Sequence, residues 1–391
     1  MKYRWVILAM VWLVYAAMGS AMSSTAPLVT PILSDLKISY AEMGVILGSW
    51  QPVFIPFSLI AGVILDRWGI RKTLFFASLI VALSVGLRYF ATGFTTLLIM
   101  TAIFGIGGPF ISIGAQKAVS LWFTGRERPT AVGIYMTAPS VGGMFALAAT
   151  NSLIMPMTGY SWRLTFVFYS LLALLFGFVW LVFSRDIKQT AELTQASLWS
   201  VFIKIIKAYN VRIVLIAGLI TGLMIHGFVQ WLPKMIEYSG VSAETAGYLS
   251  SIVSAVGIPA TLFLPRMIPN RLRGRFLALF AFLSSAGILI TAIGSSWVIV
   301  GLILYGAAIV VLFPLLTVVL MDAPQVSAET MGLAGGIFFA FCQIGGSLGP
   351  MLMGITTGST GSFLAGIWTL VIAGLVLASI TFILRESKSD S

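Results

Sequence analysis

The sequence is poor in ionisable side chains. Only 9% of its 391 residues are charged, with one histidine, one cysteine, and 12 acidic against 23 basic residues. A lone cysteine, Cys342, excludes an intrachain disulfide, and a lone histidine, His226, excludes a Cys/His metal cluster, so neither metal nor cofactor is expected. With no paired carboxylates and one imidazole, the chain lacks the constellations of hydrolytic and acid–base enzymes, and no enzymatic activity is expected. The acids are also scarce by position: all 12, from Asp35 to Asp390, fall at the ends of apolar runs or between them. That removes any carboxylate at mid-depth that could neutralise an organic cation or carry a proton. The net charge of +11 suggests nucleic acid only in a soluble protein. Here 59% of residues are hydrophobic and the mean hydropathy is +1.03, more apolar surface than one soluble core can hide, so no nucleic-acid partner is expected.

What is abundant is long apolar sequence. Runs near 5–31, 41–63, 73–91, 96–122, 130–153, 164–184, 211–234, 242–265, 275–293, 297–320, 328–353 and 361–384 are each of a length to cross a bilayer, which takes roughly 20 residues. If the N-terminus is cytoplasmic, 18 of the 23 basic residues fall on the inner side. Only Lys37, Arg163 and Lys234 fall on the outer side, with Arg88 and Lys117 inside the membrane. Both termini are thus expected in the cytoplasm. The first run follows Lys2 and Arg4 like a secretory signal but continues through Pro27 to Pro31, and the charge bias requires that it be retained.

The longest polar break separates six runs from six. The expected organisation is a first bundle over 1–184, a cytoplasmic linker over 185–210 and a second bundle over 211–391. Within the linker, 198–209 reads as an interfacial helix or a solvated tether. A repeat supports the two halves. Ser39 and Gly44 recur as Ser242 and Gly247, and Gly133, Gly142 and Gly143 recur as Gly336, Gly345 and Gly346, all offset by 203.

Between the second and third runs stands Gly62-Val63-Ile64-Leu65-Asp66-Arg67-Trp68-Gly69-Ile70-Arg71-Lys72. Gly62 would permit close helix packing, Asp66 would pair with Arg71 or a helix N-terminus, and Gly69 would supply a tight turn. This segment resembles the GxxxDRxGxRK loop of the major facilitator superfamily. The second-half counterpart, Pro265 to Arg275, keeps four arginines and no acid. Lys117 to Phe123 with Arg126-Glu127-Arg128 is similar to the end of that family's fourth helix. Ala138-Pro139-Ser140-Val141-Gly142-Gly143 resembles its GPxxGG helix-bending motif, with Ala138 replacing the first glycine. Thr101 stands four residues before Gly105, where an arginine is frequent in the family; both departures weaken an antiporter reading.

The resemblance implies an all-α fold of twelve transmembrane helices in two pseudo-symmetric six-helix bundles. It further implies a conformational latch of Gly62, Asp66, Arg67, Gly69 and Arg71, and helix bending at Pro139, Gly142, Gly143, Gly345 and Gly346. The first, fourth, seventh and tenth helices of that family line a central cavity. By that resemblance His226 and Lys117 face the cavity, with Gln230 and Trp231 beside His226, and polar and aromatic residues at helical spacing extend the candidate lining to Tyr15, Ser23, Ser112, Gln116, Tyr305 and, on the eleventh helix, Gln343. His226 and Gln230, four residues apart, would share one helix face, and an imidazole suits proton coupling. Lys117 would bind substrate, reach for the interface or pair with Glu127, and Arg88 would snorkel outward. Pro109 and Pro314 would bend their helices.

These features predict a secondary transporter of the plasma membrane for a small organic solute, with an organic anion favoured by basic residues without acids at depth, working by uniport or proton-linked symport. The expected partners are that solute, lipid and protons, with the protein a monomer. The alternatives are an exporter of a choline- or haem-like solute held by aromatic rings, and a sensor or scaffold that no longer transports. Trp231-Leu232-Pro233 is similar to the cyanate and nitroimidazole transporter group, and the first helix with Lys117 to Phe123 to the haem and choline exporter group.

Overall fold

A computed structural model describes residues 3–185, 206–294, 297–326 and 330–384. Most of the 185–210 segment, including the start of the expected interfacial helix, lies outside them. The described residues hold twelve helices long and apolar enough to span a membrane. In order these are span one Tyr3–Leu36, two Tyr40–Trp68, three Ile70–Phe90, four Phe94–Trp122, five Gly125–Met157 and six Trp162–Phe183. Spans seven to twelve are Tyr209–Val229, Ala243–Met267, Asn270–Ile293, Val298–Met321, Leu333–Thr360 and Leu364–Phe382. In lipid every backbone group must bond internally, which is why these runs become helices whatever their intrinsic propensity.

Interruptions occur where the local chemistry disfavours the regular ladder. Span one is helical over Tyr3–Ser23, tightens to a 3-10 turn at Ala26–Leu28 and resumes over Val29–Leu36. Pro27 and Pro31 lack the N–H that an uninterrupted α-helix would use there. Span five widens to a π-turn over Thr150–Ile154 just before Pro156, and the Thr150 hydroxyl there lies 2.7 Å from the Tyr169 hydroxyl of span six. Pro109 and Pro314, by contrast, both lie within continuous helical stretches, Phe104–Trp122 and Val298–Met321.

The described residues form two compact units, one of 3–185 with 230–254, the other of 206–229 with 255–384. The division differs from a cut in the 185–210 linker, because the chain leaving span seven and the first half of span eight pack with the first unit. Asn151 ties them there, its amide donating to the carbonyls of Pro27 at 3.1 Å and Ala243 at 3.2 Å. Trp231, fully buried, lies with its ring centre 5.9 Å from that of Tyr40.

Each unit contains the same tight helix crossing. In the first, Gly142 of span five abuts the Ala16 carbonyl and Ser20 amide of span one, while Gly19 abuts the backbone of Pro139. In the second, Gly345 of span eleven abuts the Leu219 carbonyl and Leu223 amide of span seven, and Gly222 abuts Cys342. All five pairs of positions are related by the offset of 203 seen in the sequence. The crossing admits no Cβ, so these glycines let two backbones touch, as small residues do in membrane helix pairs. The helices run on through Gly142, Gly143, Gly345 and Gly346.

Candidate substrate-binding and latch residues

The loop between spans two and three closes as its glycine requires. Gly69 has φ 80° and ψ 160°, a conformation essentially reserved for glycine. Gly62, expected to pack closely, faces open space. Asp66 pairs with Lys117 at the end of span four, not with Arg71. Arg71 instead donates from Nε to the Leu181 carbonyl at 2.9 Å, and Trp180 Nε1 donates to the Arg71 carbonyl at 2.9 Å, which fixes the start of span three against span six. The alternative partner expected for Lys117, Glu127, is engaged by Arg4 at 2.6 Å. Asp66, Gly69, Lys117, Trp122 and Trp180 help line a recess of about 30 Å³, room for a water rather than a solute.

A matching ion pair stands in the second unit. Arg273, at the start of the helix Arg273–Ile293, pairs with Asp322, just past span ten. The second-half loop without an acid thus finds one on the neighbouring helix. In the first unit the loop supplies the acid and the helix end the base; in the second the signs are exchanged.

Among the expected cavity residues, Tyr15 and Ser112 fall together in the first unit, on spans one and four. Tyr15 stacks on Tyr135 of span five with ring centres 6.4 Å apart, and Trp12 Nε1 donates to the Thr137 hydroxyl at 3.1 Å. Trp12, Tyr135 and Thr137 were not singled out in the sequence; their helical spacing gives no signal apart from packing. Ser112 also donates to the Gly108 carbonyl at 3.1 Å. Ser23 lies beside Gly143 at the span one and five crossing, and Gln116 is exposed.

In the second unit Tyr305 is fully buried, its ring 4.5 Å from that of Phe228 and its hydroxyl donated to the Met224 carbonyl at 3.1 Å. Gln343 is buried and His226 half-buried. The helix carrying His226 ends at Val229, and Gln230 stands just past it in the turn before Leu232–Tyr238.

Arg88 departs furthest from expectation. Rather than reaching outward it is 2% exposed, donating from one Nη to the Thr25 hydroxyl at 2.7 Å and lying 5.1 Å from the centre of the Phe166 ring. Its Nε has no hydrogen-bond partner, and no carboxylate among the described residues lies within ion-pair distance. Asp35, the acid of the same end of span one, is taken by Arg163 and by Trp162 Nε1 at 3.1 Å.

Twelve apolar helices, glycine crossings repeated at one offset and a charged loop paired with the end of span four define an integral membrane protein of transporter architecture. The sequence signature of the Major Facilitator Superfamily matches residues 11–350, and the chain belongs to that superfamily. It is a transport protein, not an enzyme. A hexuronate transporter of Bacillus subtilis is 26% identical over 93% of this chain and 89% of its own length. A probable galactarate/D-glucarate transporter of the same organism is 24% identical over 97% and 91%. The crystal structure of a bacterial homologue of the human lysosomal transporter Spinster, inward-facing and unoccupied, shares the fold with a TM-score of 0.78 at 16% identity, covering 98% of this chain and 97% of that one.

Proposed function

We propose that the protein is a secondary transporter of the plasma membrane for a small organic anion, acting as a monomer by proton-linked symport or uniport with both termini in the cytoplasm. The observation that carries the anion is Arg88, a buried guanidinium with no carboxylate among the described residues in ion-pair range. The cost of keeping a cation out of water favours a site that meets an anion. The described acids within the spans all stand at span ends and Lys117 is neutralised by Asp66, which leaves the buried guanidinium of Arg88 as the basic group for a carboxylate. The names of the two relatives, both transporters of sugar acids, support the same reading.

Counterflow in proteoliposomes with glucuronate, galactarate, tartrate, choline and haem tests it. Carboxylates should exchange and choline should not compete. Arg88→Gln should lower carboxylate exchange at least tenfold while Arg88→Lys keeps a measurable part. Full exchange by Arg88→Gln would remove the site, and flux of choline alone would reverse the assignment. The cationic reading draws on one feature, the stacked pair of Tyr15 and Tyr135, whose ring faces could hold a quaternary ammonium.

A further inference from the structure

Glu237 is the acid with the most unusual surroundings. It lies on the short helix Leu232–Tyr238 that follows span seven, outside the membrane-spanning stretches, and is half-buried against the first unit. Thr30, on the last segment of span one, donates its hydroxyl to Glu237 Oε2 and accepts from Lys234 Nζ at 2.9 Å. One hydroxyl therefore stands between a carboxylate and an ammonium one helical turn apart. No other described acid is satisfied this way: Asp35 is held by Arg163, Asp66 by Lys117, Glu127 by Arg4, Asp322 by Arg273 and Glu42 by the capping box at Ser39, while Glu244 is exposed in the first turn of span eight.

The titratable and charged groups around Glu237 are Lys234 and Tyr238 on its own helix and Tyr40 from the start of span two. Asp35, further along span one, is turned to Arg163. Burial outweighs the help of Thr30 and Lys234 and raises the pKa of Glu237 above the ordinary carboxylate value. A neutral carboxyl keeps its hydrogen bond to Thr30 and avoids the desolvation that the anion suffers.

We propose that Glu237 is a proton-binding site, and that a proton is taken up there when the helix Leu232–Tyr238 docks on Thr30 and is released when it lifts away. On the side that the basic-residue bias assigns to the exterior, such a site would make docking report on the external proton supply. This gives a proton-linked mode of the transport reading a chemical group. The site can nevertheless be tested without any solute, so its failure and that of the transport assignment are separable.

The sign follows from linkage. The docked state has the raised pKa and the lifted, hydrated state the ordinary one. Docking is therefore independent of pH below the ordinary carboxylate pKa and weakens as pH rises from there to the raised value. The limit for one proton is tenfold per pH unit.

Hydrogen exchange of the full-length protein in lipid nanodiscs, corrected for the intrinsic pH dependence of amide exchange, reads this on residues 26–36 and 232–238. Protection in the wild type should be highest at acid pH and fall through that window, while distant helices such as span ten stay constant. Glu237→Gln, a permanently neutral isostere, should remain protected at every pH. Lys234→Met, which removes the charge favouring the anion, should move the midpoint to higher pH. Two results would each overturn the assignment: wild-type protection that does not change with pH, or Glu237→Gln loosening both segments at acid pH, which would mean the anion is what holds them. An unchanged midpoint in Lys234→Met would do the same should the glutamine variant not fold.

Discussion

The repeated crossing makes a prediction that can be worked out residue by residue. At Gly142 an added Cβ would land on the Ala16 carbonyl and crowd the Ser20 amide, and at Gly345 on the Leu219 carbonyl and the Leu223 amide. Neither neighbour is the free end of a side chain, so the helices themselves must separate. Gly142→Ala also disturbs the bond from the Ser20 hydroxyl to the Gly142 carbonyl at 2.9 Å. Overpacking of this kind costs about 1–3 kcal/mol. For a unit of roughly 200 residues that corresponds to a melting shift of about 2–4 °C per kcal/mol.

Gly336, on the same helix as Gly345, has nothing within reach of a Cβ, so alanine there should be neutral or stabilising by up to about 1 kcal/mol. Thermal unfolding in detergent, followed by size-exclusion fluorescence, should therefore rank Gly142→Ala and Gly345→Ala together below wild type and Gly336→Ala at or above it. If all three alanine variants melt alike, or if Gly345→Ala, which lacks the extra hydroxyl bond lost at Gly142, melts at or above wild type, the account fails.

The Asp66–Lys117 pair predicts that Asp66→Asn slows counterflow with little change in half-saturation. The double exchange Asp66→Lys with Lys117→Asp should recover more rate than either single change; no recovery would detach the pair from the transport cycle. Because both side chains are partly exposed, at 38% and 18%, the stability change from breaking the pair should stay below about 1 kcal/mol. Gly69→Ala places a side chain at φ 80° and ψ 160°, so it should lose about 1–3 kcal/mol in the same melting assay. A melting temperature at the wild-type value would show that the loop relaxes freely.

The spans were legible because hydropathy over 20 residues needs no tertiary knowledge, and the offset of 203 was legible because it is counting. What the repeated glycines do was not: a glycine that bends a helix and one that lets another helix approach look alike until Ala16 and Leu219 are in place. The partner of Asp66 was hidden for a similar reason. Arg71 is nearer in sequence, but the turn at Gly69 sends it to the Leu181 carbonyl, and Lys117 arrives from another span. The end of span seven was not legible either: the apolar run continues to residue 234, whereas the chain turns after Val229 and a new helix begins with Pro233 in its first turn, a position that suits proline. Arg88 needed Thr25 and Phe166, from spans one and six, to become a buried cation.

The exchanged signs of Asp66–Lys117 and Arg273–Asp322 bear on what a sequence motif can find. Each pair fastens a connection between two helices to the end of a later one, and the fastening works whichever side brings the anion. A search for the first-half motif, which demands an acid in the loop, therefore overlooks the second fastening, whose acid arrives from the end of span ten.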